Sequence, residues 1–142
     1  MMKYVLAGVV GGIVVGVLVD RIVLQLQENK RIERTKILEK CFGAPMYTSV
    51  FSMNEARDWI KVREEKLKSG AKAVILKATA ETLQNIGKDL DIGTGIENNI
   101  VLAIVNQTTK DIEDSVLIRY ETLDNALESA LEKGKGILVV EA

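Results

Sequence analysis

AKAVILKA, residues 71–78, is a strongly apolar run that lies between Gly70 and Thr79. A short apolar segment bounded by turn-forming and helix-capping residues is typical of a strand that is buried in a sheet. We therefore predict a central strand here, and the neighbouring segments are interpreted as the elements that surround it.

Helices and strands are predicted on both sides of this strand. Upstream, a strand over 46–51 leads into a helix over 53–69, which a capping box of Ser52 and Glu55 opens. Downstream, Thr79 and Asp124 are predicted to cap two further helices. The predicted downstream elements are a helix over 79–90, strands over 100–105 and 115–120, a helix after Asp124 and a strand over 137–140.

The order of these elements predicts an α+β fold. From residue 71 onward it is strand, helix, strand, strand, helix, strand, the order of the split βαβ or ferredoxin-like arrangement. In this interpretation the strand over 46–51 and its helix are an N-terminal addition. The alternative is a mixed α/β sheet in which the strand over 46–51 is central.

The N-terminus has a different composition. Residues 4–19 contain no charged side chain, and sixteen helical residues span roughly 24 Å at 1.5 Å per residue. This length is slightly short of a bilayer core, a deficit that the apolar residues after Arg21 can close. A cleaved signal peptide is disfavoured because no small-residue cleavage site follows the run, and a buried core helix is the other alternative. We predict a transmembrane anchor over 1–24, a helical stalk over 25–43 and a separate domain over 44–142.

Charge predicts the orientation of this anchor. The residues before position 44 include seven basic and four acidic side chains, and nearly all of the basic ones follow the apolar run. Positive charge is retained on the cytoplasmic side of a membrane. We therefore predict a single-pass protein of the cell membrane that contacts the lipid bilayer and has a cytoplasmic C-terminal domain.

Glycines recur at every fourth position of the apolar run, at Gly8, Gly12 and Gly16. This spacing places them on one helix face, where a second helix can approach closely. The pattern predicts a homo-oligomer formed through the glycine face, although glycine is also common in membrane helices that do not associate.

The composition disfavours several classes of function. The chain has no histidine and a single cysteine, Cys41, which excludes Ser-His and Cys-His pairs and the usual zinc sites. From residue 44 onward sixteen acidic side chains outnumber twelve basic ones, so nucleic-acid binding is disfavoured. We predict no catalytic residue, no metal and no cofactor.

A glycine-containing segment over 89–99, DLDIGTGIENN, is the best candidate for a ligand site. Backbone N–H groups near such glycines can form a concave anion-binding nest. The candidate contacts are Asp91, Gly93, Thr94, Gly95 and Glu97. The segment fits neither a Walker loop nor a calcium loop, and a simple turn into the next strand is the competing interpretation.

Two hypotheses for function follow. The first is a membrane-anchored, non-enzymatic protein whose cytosolic α+β domain binds an unknown protein partner or self-associates. The second is a small-ligand or anion sensor, or an enzyme, that uses the segment over 89–99. No motif in the sequence identifies a family.

Overall fold

The computed structural model describes residues 3–5, 9–28, 36–79, 82 and 98–141. Within these residues, one six-stranded sheet is flanked by five helices. The strands are β1 (Lys3–Val5), β2 (Met46–Phe51), β3 (Lys72–Lys77), β4 (Asn99–Asn106), β5 (Asp111–Leu123) and β6 (Ile137–Glu141). The helices are α1 (Val9–Glu28), α2 (Ile37–Phe42), α3 (Met53–Lys61), α4 (Glu64–Lys68) and α5 (Asn125–Lys133).

The sheet is mixed, with the strand order β1-β6-β3-β4-β5-β2. Strand β2 runs parallel to β5, and all the other neighbouring strands are antiparallel. Strand β3 lies inside the sheet between β6 and β4. The predicted central strand is therefore confirmed, and so is the α+β class with a mixed sheet.

Helices cover both faces of the sheet. Alternate residues of β3 point to opposite faces, as the pleat of a strand requires. Val74 and Leu76 belong to the apolar cluster that α1 and α2 cover. Ala73 and Ile75 belong to the cluster that α3, α4 and α5 cover. The domain consequently has three layers, with the sheet between two layers of helices.

The ferredoxin-like strand order is wrong. That order places the third strand of the unit beside the first, whereas β3 pairs with β4, the second. The reason is burial, because β4 is buried at every position except the last and such a strand needs neighbours and helices on both sides. The alternative is also wrong in placing 46–51 centrally, since β2 is the end strand of the sheet.

Local signals predicted the ends of several elements well. Strand β2 covers the predicted residues, the capping box of Ser52 and Glu55 forms at the start of α3, and Asp124 caps α5. The helix predicted over 53–69 is divided into α3 and α4. Apart from Thr79 and Thr82, the helix predicted over 79–90 lies outside the described residues.

Helix α1 packs against the sheet. Within the described ranges, none of the helices combines the length and the apolar character needed to cross a bilayer. Val14, Leu18 and Ile22 are fully buried beside β3 and β4, whereas Asp20 and Leu24 are exposed. The predicted transmembrane helix is thus not supported. The apolar residues of α1 have another physical role here, because they cover a sheet face that would otherwise expose valine and leucine side chains.

The segment predicted to be an exposed stalk includes a second buried helix. Ile37, Leu38 and Phe42 of α2 are buried in the same cluster as α1. Glu39 of α2 forms an ion pair with Arg119 of β5, at 2.7 Å. Helix α2, which lies within the predicted stalk, therefore packs on the sheet. The boundaries that the sequence predicts between anchor, stalk and domain, at residues 24 and 43, stay predictions.

Candidate functional site

The outer edge of β2 is the most unusual surface of the described structure. No described strand pairs with that edge, and the strand, MYTSVF, has no charged residue. Natural edge strands are commonly protected by charge, by proline or by a covering loop, because their free N–H and C=O groups accept other strands. An uncharged edge of six residues is a site where a further strand can add.

Three large apolar side chains are exposed on this strand. Met46 is 62% exposed, Tyr47 is 75% exposed and Val50 is 50% exposed. Met46 and Tyr47 point to opposite faces of the sheet, so apolar surface is exposed on both sides of the edge, and exposed apolar surface of this kind marks interaction sites.

Strand β2 is firmly positioned by its surroundings. It pairs with β5 from Met46 opposite Ile118 to Phe51 opposite Leu123. Phe51 is buried and ends the strand, and the capping box at Ser52 begins α3 immediately afterwards. The edge is therefore preorganised in an extended conformation, which lowers the entropic cost of binding a strand.

An apolar groove of about 340 Å³ runs beside this edge, on the face that α3 covers. Its floor consists of Leu102, Val116 and Ile118, and Trp59 of α3 forms part of its wall. Trp59 is half-buried and packs against the core cluster of this face. The groove offers apolar contacts to side chains that enter from the β2 edge.

Arg63 holds Trp59 in position. Its guanidinium carbon lies 3.8 Å from the centroid of the Trp59 ring, and its Nη1 donates a hydrogen bond to the Trp59 carbonyl at 2.8 Å. The same guanidinium pairs with Asp114 of β5. The wall of the groove is thus fastened to the sheet that forms its floor.

A polar network supports the opposite face of the edge. Arg119 of β5 lies beside Tyr47 in the strand register and donates hydrogen bonds to the hydroxyl of Tyr47 at 3.4 Å and to Oδ1 of Asn99 at 3.0 Å. Partial burial opposes protonation of Arg119, but its hydrogen bonds to Tyr47 and Glu39 raise the pKa of the guanidinium above its ordinary value. The hydroxyl of Tyr47 therefore lies toward Arg119, on the α2 side of the sheet.

The predicted ligand contacts Asp91, Gly93, Thr94, Gly95 and Glu97 lie outside the described residues, and so does Gly8. Gly12 and Gly16 lie on α1. A Cβ atom at Gly16 would have no atom within 4 Å, so no close backbone contact within the chain requires this glycine. The glycine-face oligomer remains a prediction.

Two observations on the described residues concern metal binding and nucleophilic chemistry. No group of three or more cysteine, aspartate or glutamate side chains among them is placed to hold a metal ion. Burial raises the pKa of the Cys41 thiol from 9.0 to about 12, and nearby Arg21 only partly offsets this. A thiol with this pKa is almost entirely protonated near neutrality and is a poor nucleophile.

Sequence reasoning missed the edge of β2. The strand itself was predicted correctly, but its place at the end of the sheet depends on strand order, which a single sequence does not supply. One signal was present in the sequence. The predicted strand over 46–51 directly follows Pro45 and contains no charged residue.

Comparison with known proteins identifies no relative, because the chain matches no protein-family model, no curated protein and no solved structure.

Proposed function

We propose that this protein is a non-enzymatic interaction module that binds a protein segment as an additional strand at the outer edge of β2. The observation that carries the proposal is the uncharged edge strand with Met46, Tyr47 and Val50 exposed. In binding of this type, main-chain hydrogen bonds supply affinity and alternate side chains supply specificity.

The strand register supports a division of the contacts of a bound strand between the two faces of the sheet. Met46 and Thr48 pair with Ile118 and Tyr120, whose side chains belong to the cluster on the α3 side. Tyr47 contacts Arg119, which pairs with α2 on the opposite side. A bound strand would place every second side chain on the side of the groove, where Trp59 lies.

The emission of Trp59 provides a direct test, because it is the only tryptophan in the chain and it lines the groove. The probe is a synthetic peptide of alternating threonine and valine, which favours an extended conformation. It should shift the emission of Trp59 to shorter wavelength in a saturable manner. A peptide of the same length with proline at alternate positions should not, since it cannot complete the ladder of hydrogen bonds.

The matched variants are Val50→Lys and Val62→Lys, both of which place a charge at an exposed valine. Val62 is 81% exposed and lies at the end of α3, away from the β2 edge. Val50→Lys should abolish the emission shift, and Val62→Lys should retain it. A shift that is equal in both variants, or that no peptide produces in the parent chain, would overturn the proposal.

Attachment to a lipid bilayer is a second proposal, and it rests on the uncharged run over 4–19. In this proposal the run leaves the sheet and enters the membrane, with the C-terminal domain on the cytoplasmic side. The test is fractionation of cells that express the full chain. Retention in the membrane pellet after alkaline carbonate washing would support it, and release into the supernatant would contradict it.

A further inference from the structure

We infer that the protein segment received at this edge is a basic one, which places a lysine or arginine side chain in the apolar groove beside β2 and pairs its charge with Glu55. The inference rests on the proposed function, because it names the chemistry of the strand that the same edge would bind.

The groove combines an apolar lining with one carboxylate. Among the described residues that line it, Glu55 of α3 is the only charged one. Glu55 and Trp59 are four residues apart on α3, so their side chains are neighbours on the same helix face. The carboxylate of Glu55 therefore lies at the wall that Trp59 forms, next to the apolar floor.

The carboxylate of Glu55 is held in place and can accept further hydrogen bonds. Its Oε2 accepts a hydrogen bond from the backbone N–H of Ser52 at 3.2 Å, as part of the capping box. An ionised carboxylate has about four acceptor positions on its two oxygens, so this bond leaves room for a cation. Glu55 is also exposed, and a bound segment can therefore reach it.

The charges around the groove favour a cationic partner. The guanidinium of Arg63 lies over Trp59 but pairs with Asp114, so these two charges balance each other. Glu121 lies on β5 beside the β2 edge and is exposed. From residue 44 onward sixteen acidic side chains outnumber twelve basic ones. An acidic segment would meet like charge at this edge, whereas a basic one is attracted to it.

Lysine and arginine fit both parts of this surface. Their long aliphatic stems pack on apolar groups while the charged head stays near water. The groove, of about 340 Å³, offers Val116 and Ile118 to the stem and Glu55 to the head. Met46 and Thr48 lie on the same face as Ile118, so every second side chain of an added strand would reach the groove. A purely apolar side chain would contact the floor and make no use of the carboxylate.

Three peptides test this inference through the emission of Trp59. Each is the threonine–valine peptide with one central residue changed, to lysine, to glutamate or to norleucine, which has the four-carbon stem of lysine without its ammonium group. Glu55→Gln removes the charge of Glu55 and keeps a residue that can complete the capping box. Asp58→Asn is the matched control, because it removes an exposed charge from the same helix at a position that does not line the groove.

In the parent chain the lysine peptide should bind more tightly than the glutamate peptide. The ratio of the dissociation constants of the norleucine and lysine peptides should fall about two- to fivefold in Glu55→Gln, the range for an exposed ion pair, and should not change in Asp58→Asn. Equal ratios in the parent chain and in Glu55→Gln, or tighter binding of the glutamate peptide, would overturn the inference. If the peptides still shift the Trp59 emission in that case, the proposed function stands and only the preference for a basic segment is excluded. If none of them shifts the emission in the parent chain, both are overturned.

Discussion

Arg63 lies over the indole ring of Trp59, with 3.8 Å between the guanidinium carbon and the ring centroid. The two residues are one helical turn apart in sequence. Trp59 belongs to α3, and Arg63 lies in the two-residue break between α3 and α4. Arg63 also pairs with Asp114 of β5, so a single side chain links the helix layer to the sheet. We conclude that the wall of the apolar groove depends on this contact.

Removal of this contact should loosen the groove. Arg63→Ala is expected to lower the free energy of unfolding by about 1–2 kcal/mol, because a cation–π contact and a partly exposed ion pair are lost together. It should also shift the emission of Trp59 to longer wavelength. Lys61→Ala, which removes the same charge from an exposed position of α3, is the control. Equal losses in the two variants would show that the contact contributes nothing specific.

Asp124 is expected to be the most sensitive helix cap in the described structure. Its carboxylate accepts hydrogen bonds from Leu127 N at 2.9 Å and from Met53 N at 3.2 Å, so it serves the starts of both α5 and α3. Asp124→Ala should lower the free energy of unfolding by about 2 kcal/mol, the upper range for a cap. Ser52→Ala should cost about 1 kcal/mol. Chemical denaturation measures both, and a smaller loss for Asp124→Ala than for Ser52→Ala would contradict the double role.

The packing of α1 gives a third prediction. Leu18 is fully buried against the sheet, whereas Leu24 is 47% exposed on the same helix. Leu18→Ala should lower the free energy of unfolding by about 2–5 kcal/mol, as for other buried leucines, and Leu24→Ala should have little effect. Thermal denaturation of both variants and of the parent chain measures the two losses of stability. If Leu18→Ala were as stable as the parent chain, the packing of α1 on the sheet would be contradicted and the membrane proposal strengthened.

Cys41 should react slowly in the folded chain. Its pKa is raised from 9.0 to about 12, chiefly by burial, so almost no thiolate is present at pH 8. Alkylation by iodoacetamide at pH 8 should be much slower than in urea, where the ordinary pKa is restored. Equal rates would show that the thiol is accessible and ionises normally.

The same shift predicts how stability depends on pH. The folded state favours the neutral thiol, so the contribution of Cys41 is complete below pH 9. It is lost as the pH rises toward about 12, because the unfolded chain releases its proton first. Cys41→Ala should remove this part of the alkaline decline in stability. An identical decline in both chains would contradict the shift.

The sequence predicted those features of the fold that depend on local chemistry. Strand β2 matches its prediction residue for residue, since Pro45 precedes it and Ser52 with Glu55 begins the next helix. Asp124 was recognised in the same way, from its place before an amphipathic segment. Such signals lie within a few residues of one another and require no knowledge of distant contacts.

Strand order and the place of α1 depend on distant contacts and were not predicted. The complete burial of β4 could have indicated a central strand, because residues 100–105 are apolar at every position. For α1, an apolar helix fits both a lipid bilayer and an apolar sheet face, and composition alone does not distinguish the two. The edge of β2 was missed for the same reason, as an edge is defined only when the strand order is known.

Amide hydrogen exchange in β2 tests the central claim most directly. If a further strand adds to the outer edge, those amides of Met46–Phe51 that do not bond to β5 should exchange more slowly with increasing concentration of the threonine–valine peptide. The turn over 107–110 and the Val50→Lys variant should show no such dependence. Exchange in β2 that is fast and that the threonine–valine peptide does not slow would contradict the claim that this edge is a binding site.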